Sequence, residues 1–203
     1  AEPLSEDRAC APMSPYAVAK FTVENYARVF ATLYGMEIAG LRYFNVFGPK
    51  QDPNSPYAAA IPLFIGAPRG GQAPIVYGDG KQSRDFTYID DIAEGVVRVL
   101  DRPAAADPAF DPALPDPARS NSPYRVFNIG NSDPVRLMDF IESIEQALDK
   151  PALKNFMPLQ DGDVPATFAD VTELAGWTGF KPGTPVREGV GRFVNWYRSY
   201  YGV

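Results

Sequence analysis

The clearest pattern along the chain is helical. No glycine or proline interrupts residues 16–34, and Ala19, Val23, Tyr26, Ala27 and Phe30 recur three and four apart, predicting one buried face. Ser14 and Pro15 supply an N-cap and a first helical residue, and Gly35 a terminator. The mostly apolar run 37–47 has strand length and ends at Gly48 and Pro49, giving an αβ unit of the kind that builds parallel sheets. Residues 50–56 read as loop, and 58–65 as a short helix weakened by Pro62. Two short strands, 75–77 and 86–88, flank the turn Gly78-Asp79-Gly80.

Asp90 or Asp91 opens a helix running to Leu100, and 125–129 is a strand. Between them, the aperiodic stretch 101–123, rich in proline, alanine and aspartate, reads as an inserted surface loop. Asp133-Pro134 is expected to cap a helix with Leu137, Phe140, Ile141, Ile144 and Leu148 inward. Thr184-Pro185 should cap a last helix that buries Val186, Val190, Phe193, Val194, Tyr197 and Tyr201. The first thirteen residues, proline-bearing and of mixed charge, read as a loop. The class is α/β.

Composition narrows the chemistry. The 203 residues are 45% apolar, enough for a core, and carry a net charge of −6, which offers no field for nucleic acid. No apolar run is long enough to span a bilayer. The lone Cys10 fits a reducing, cytoplasmic setting. With no histidine, a Ser–His–Asp nucleophile system and a His-ligated zinc site are excluded, and no metal is expected. Proton transfer near neutral pH then needs a displaced carboxyl, lysine or tyrosine. Tyr16 and Lys20 stand four apart on the first helix, on one face. An ammonium beside a phenol favours the phenolate, so this pair is a candidate base, although the same spacing also suits a solvated helix face.

The run Ser14 to Lys20 (SPYAVAK), followed by Leu41 to Pro49 (LRYFNVFGP), resembles the extended short-chain dehydrogenase/reductase family, and within it the NAD-dependent nucleotide-sugar epimerases. Tyr77 to Gly80, Ser83 to Asp91, Asn128 to Asn131 and Gly162 to Val164 extend the likeness along the chain. What the resemblance implies is the C-terminal part of a Rossmann-like doubly wound parallel sheet plus the smaller α/β substrate-binding domain. Residues 1–50 would belong to the dinucleotide-binding domain and 51–203 mainly to the substrate region, with 86–100 and 124–131 returning to the Rossmann part.

The implied activity is 4-epimerisation of a UDP-sugar. Tyr16 would take the C4 hydroxyl proton while hydride passes to NAD and back to the opposite face of the sugar, and Lys20 would hold the nicotinamide ribose. Phe44 joins them on the cofactor side. Arg84 would grip the diphosphate with its planar fork. Asn45 and the backbone at Ala60 and Ile61 would lie along the diphosphate or sugar, Tyr77 beside the uracil and Asp163 on the ribose. The bland readings are an Arg84–Asp85 salt bridge, a strand-end Asn45, a core Tyr77 and a Gly-Asp turn at Asp163. Homodimers of the family form through a four-helix bundle that includes the tyrosine-bearing helix, to which Phe21, Val29 or Leu33 would contribute.

The family's glycine-rich turn and the Ser or Thr that partners the tyrosine have no counterpart in these residues; Gly66, Gly70 and Gly71 follow no strand. The resemblance therefore covers the C-terminal part, and the chain alone is expected to bind NAD weakly or not at all and not to turn over. A 4,6-dehydratase or reductase and a non-catalytic sugar-nucleotide module remain alternatives. For the sugar, Gln160 and the tail favour glucuronate. Asp52, where the glucuronate group carries an arginine, favours a neutral hexose, and Asn45 with the string Lys50 to Asn54 resembles the neutral-hexose or N-acetylhexosamine (UDP-glucose/N-acetylglucosamine) epimerases.

Overall fold

A computed structural model describes residues 2–8, 12–52, 75–151, 154–158 and 164–202. The expectations for 58–65, Ala60, Ile61, Gly66, Gly70, Gly71, Gln160, Asp163 and Cys10 lie outside them.

Helix α1 spans Pro15–Tyr34; Ser14 accepts a hydrogen bond from the Ala17 N–H at 3.1 Å, and Gly35 closes the helix at φ 63°. Strand β1 (Ile38–Tyr43) follows, then β2 (Val46–Phe47), so the single run expected at 37–47 is broken at Phe44 and Asn45. Next come β3 (Ile75–Tyr77), β4 (Ser83–Asp85), β5 (Thr87–Tyr88) and helix α2 (Ile89–Leu100). Helix α2 begins one residue before Asp90, and both aspartates lie in its first turn.

Strand β6 (Tyr124–Ile129) runs parallel to β1 over six residues, from Ile38 opposite Tyr124 to Tyr43 opposite Ile129. Alternation along β6 sends Tyr124 and Val126 into a cluster with Ala27 and Ala31 of α1. Phe127 and Ile129 turn the other way, into a cluster with Ile92 and Val99 of α2. Helices thus cover both faces of a parallel pair, as such pairs require.

The remaining elements are β7 (Pro134–Arg136), α3 (Leu137–Leu148), β8 (Asn155–Met157), α4 (Thr172–Thr178) and α5 (Val186–Tyr201). Strand β2 pairs parallel with β5, β3 parallel with β8, and β4 antiparallel with β7. Pairing with β4 draws Pro134 into a strand, so Asp133-Pro134 does not cap α3, which starts at Leu137. Pro185, not the Thr184 side chain, stands at the α5 cap, and both Gly183 and Thr184 N–H groups donate to Asp91. Tyr201 is more exposed than the inward face expected for it. A second core gathers where α3 and α5 meet β2 and β5: Phe86 stacks on Phe140 at 3.8 Å between centroids, and Phe47 meets both edge-on.

Three further expectations are corrected. The buried face of α1 is Ala27 and Ala31, whereas Val23 and Tyr26 are 62% and 64% exposed and Ala19 and Phe30 are exposed too. Apolar residues occur around most of this helix, so periodicity alone does not choose the seat. The 101–123 stretch is irregular but not all surface: Ala104, Ala118 and Ser120 are buried, and the Ala118 carbonyl accepts from the Val126 N–H at 2.9 Å. Residues 2–8 are equally tied down. Leu4 bridges to Ala169 in parallel fashion, and the buried Glu6 accepts from the Asn128 N–H at 2.8 Å.

Candidate functional site

Strand β1 leaves its sheet at Tyr43, and the backbone of the next two residues is pinned. The Phe44 N–H donates to the Ile129 carbonyl at 3.1 Å, and the Asn45 carbonyl accepts from the Thr87 N–H at 2.9 Å. A cleft of about 590 Å³ opens at this carboxyl end of the parallel strands, where ligands of open α/β sheets sit. Arg8, Phe44, Asn45, Gln51, Asn128 and Thr167 are among its walls.

Arg42 also lines the cleft, but its guanidinium is engaged. Nε and Nη2 donate to Glu24 of α1 at 2.8 and 2.9 Å, which holds the group above its ordinary value, and Nη1 donates to the Glu6 carbonyl. Arg8 forms an exposed ion pair with Glu2 at 3.6 Å. The Asn45, Gln51 and Asn128 amides and the Ser5 and Thr167 hydroxyls complete the polar part of this wall.

Asn45 is exposed, and its Oδ1 accepts from the Thr167 hydroxyl at 3.3 Å. Thr167 is joined to β4 through its N–H, which donates to the Ser83 carbonyl at 3.2 Å, and through its Oγ1, which accepts from the Asp85 N–H at 3.1 Å. Asn45 is thereby linked, through one residue, to the strand that carries Arg84. Arg84 is half-buried and donates to the Ser83 carbonyl at 2.9 Å.

The Asp85 carboxylate points away from solvent. It is fully buried and accepts the backbone N–H groups of Asn131 (2.8 Å), Ser132 (3.1 Å) and Ala169 (2.8 Å). Burial pushes this carboxyl above the usual range, and the three donors offset part of that rise. Gly130 permits the convergence, because a Cβ there would stand 2.5 Å from that of Ala169. The Asn128 to Asn131 string therefore acts as a clamp: the Asn128 amide donates to the Leu4 and Asp170 carbonyls at 2.7 and 3.1 Å.

Tyr16 and Lys20 occupy the first two turns of α1. Both are exposed, and the Lys20 ammonium lies 5.2 Å from the centre of the Tyr16 ring. Phenol and amine thus share one side of the helix, within reach of a ligand, although neither is among the residues lining the cleft. Tyr77 is half-buried on β3 and accepts at its carbonyl from Gln82. Among the described residues no group of acidic or cysteine side chains could hold a metal. Thr167 and Gln51 were not legible as site residues. The motif at Gly162 to Val164 stops short of the first, and the second lies in a short polar loop without periodicity.

Comparison with known proteins follows the same line. A probable UDP-glucuronate 4-epimerase of Rhizobium meliloti (strain 1021) is 42% identical over 201 residues, covering 98% of this chain and 58% of its own length. The solved UDP-N-acetylglucosamine 4-epimerase from Methanobrevibacter ruminantium M1, in complex with UDP-N-acetylmuramic acid, superposes with a TM-score of 0.79 at 35% identity, over 98% of this chain and 58% of that one. The UDP-glucuronic acid 4-epimerase from Bacillus cereus, in complex with UDP-glucuronic acid and NAD, gives 0.82 at 29% identity, over 99% of this chain and 58% of that one. The chain thus spans 58% of the length of each of these proteins. Residues 1–130 match the model of the NAD dependent epimerase/dehydratase family, and the chain belongs to that family.

Proposed function

We propose that the full-length protein is an NAD-dependent UDP-sugar 4-epimerase in which Tyr16 is the proton-transfer group. The observation that carries this reading is the Tyr16–Lys20 pair, exposed together with the ammonium 5.2 Å from the phenol ring centre. The pair fits the nicotinamide-ribose end of NAD, since one phenol oxygen and three ammonium donors a helical turn apart match vicinal hydroxyls. No glycine-rich turn precedes a helix among the described residues, and no residue is assigned to the cofactor pyrophosphate. NAD, when bound, supplies the hydride acceptor and donor for C4.

Tyr16 takes the C4 hydroxyl proton and returns it after the sugar has turned, and the Lys20 charge favours the phenolate meanwhile. Turning requires a fixed nucleotide. Arg84 and Asn45 hold the diphosphate or sugar oxygens with the backbone at Ala60 and Ile61, Tyr77 flanks the uracil, Asp163 takes the ribose, and Phe44 walls the cofactor side. Residues 1–50, with 86–100 and 124–131, form the dinucleotide-binding part and the rest mainly the sugar-nucleotide part. Support comes from the parallel β1–β6 pair with a helix on each face.

The sugar is a hexose, an N-acetylhexosamine or a hexuronate. Asp52 is exposed, so solvent screens its charge and its repulsion of a uronate is small. Asp52→Arg should then change the preference between UDP-glucose and UDP-glucuronate only slightly. A second copy of the chain is the partner, supported by exposed Phe21, Val29 and Leu33 on α1. A cytoplasmic setting belongs to this proposal and rests on the lone cysteine; separately, no described helix is long and apolar enough to cross a membrane.

The test is epimerisation of UDP-glucuronate and UDP-N-acetylglucosamine by the full-length protein, followed by proton NMR. Tyr16→Phe should lower turnover by about 10²–10⁴-fold while leaving UDP binding in place. Turnover at the wild-type rate in that variant overturns the assignment.

A further inference from the structure

We infer that Thr167 is a positioning residue that fixes the side-chain amide of Asn45 with its NH₂ group toward the cleft. The inference rests on the reading of Asn45 as a ligand of the sugar nucleotide and adds what orients it.

The Thr167 Oγ1 already accepts the Asp85 N–H at 3.1 Å, so its own proton must point elsewhere. The Asn45 Oδ1, 3.3 Å away, is an acceptor in that direction. A reversed amide would turn donors onto Thr167 and leave the hydroxyl proton without this partner. Neither side is free to drift. The Thr167 N–H is bonded to the Ser83 carbonyl, Ala166 bridges to Ser83, and Ala169 two residues on is held by the buried Asp85 carboxylate. On the other side, the Asn45 carbonyl is held by the Thr87 N–H.

With Oδ1 occupied, Asn45 presents two N–H donors to the cleft that both residues line. That selects an acceptor, a diphosphate or sugar oxygen, and disfavours a hydroxyl that must donate. Such preorganisation raises affinity by sparing the amide a rotational choice at binding.

The test measures dissociation constants of UDP-glucuronate and UDP-N-acetylglucosamine by calorimetry on the full-length protein. Asn45→Ala should weaken binding about tenfold, the size of one hydrogen bond. Thr167→Val should weaken it several-fold, about fivefold, and Thr167→Ser should restore it. In the Asn45→Ala background Thr167→Val should add nothing, whereas a merely structural loss would add in full. Asn45→Asp, which keeps the shape but offers only acceptors, should bind more weakly than Asn45→Ala. That variant does not depend on whether Thr167→Val folds.

Wild-type affinity in Thr167→Val, or equal losses in both backgrounds, overturns the positioning role while the Asn45 reading stands. Asn45→Asp binding as well as wild type overturns the orientation. Asn45→Ala binding as well as wild type removes the amide from the site and overturns both.

Discussion

Asp85 and Glu6 are both buried carboxyls, and their surroundings treat them differently. Asp85 receives the backbone N–H groups of Asn131, Ser132 and Ala169 on its two oxygens, whereas Glu6 is held by the Asn128 N–H and by its own backbone. Asp85→Asn would aim an NH₂ group at backbone donors, and the mismatch should cost about 2–4 kcal/mol, read as a fall in the urea midpoint. Burial is the largest influence on both groups and raises both above the ordinary value. A raised folded value means that the folded form binds the extra proton, so their contribution to stability grows as pH falls through the window between the raised and the unfolded values. It is lowest above that window. Wild type should therefore gain on Glu6→Gln in denaturant midpoint between pH 7 and pH 4, and a constant or widening deficit would contradict the burial argument. At this scale the sequence was informative where chemistry is local. The Tyr16–Lys20 spacing predicted a shared face, and the Ser14 cap formed. The Asp85 carboxylate shows the limit: nothing local foretells that it reaches N–H groups 46, 47 and 84 residues away in sequence.

Elements were legible when their apolar positions had one arrangement that could be buried. The apolar positions of α3 and the final helix α5 are largely inside, and β1 and β6 pair as an αβ reading implies. Strands β7 and β8 and helix α4 escaped notice because three to seven residues carry too little periodicity. The seat of α1 makes a sharp test. Val23→Lys, on an exposed position, should change stability by less than about 0.5 kcal/mol. Ala31→Val, in the packed seat, should cost about 1–3 kcal/mol. Comparable midpoints for the two would put the helix on another face. Close packing of α5 against β2 and β5 gives a second test, because a Cβ at Gly189 would lie 2.7 Å from the Phe47 ring and 2.9 Å from that of Tyr88. Gly189→Ala should also cost about 1–3 kcal/mol by thermal unfolding, and an unchanged midpoint would mean that the aromatic cluster yields.

For the molecule as a whole, the open surfaces matter as much as the cores. Among the described residues β1 pairs only with β6, and α1 displays Tyr16, Phe21, Tyr26, Val29 and Leu33 to solvent. An unpaired strand edge beside an apolar helix face is a docking or aggregation surface. Sedimentation of the 203-residue chain should show mass rising with concentration, and Phe21→Lys with Leu33→Lys should suppress the rise. A monomer at every concentration would contradict it. The candidate site was legible as a set of residue types but not as an assembly, because Thr167, its linking residue, sits in an irregular strip that only tertiary pairing defines.

Leu4 and Ala169 are bridged across 165 positions of sequence, and the Asn128 amide rests on the Leu4 carbonyl. Such closure carries a large entropic toll that is met only once both strips are present. On the ribosome, then, the strip at Leu4 cannot settle until the strip at Ala169 has emerged, which places this seam after the neighbouring helix α1 in order of formation and makes it an early one to fray.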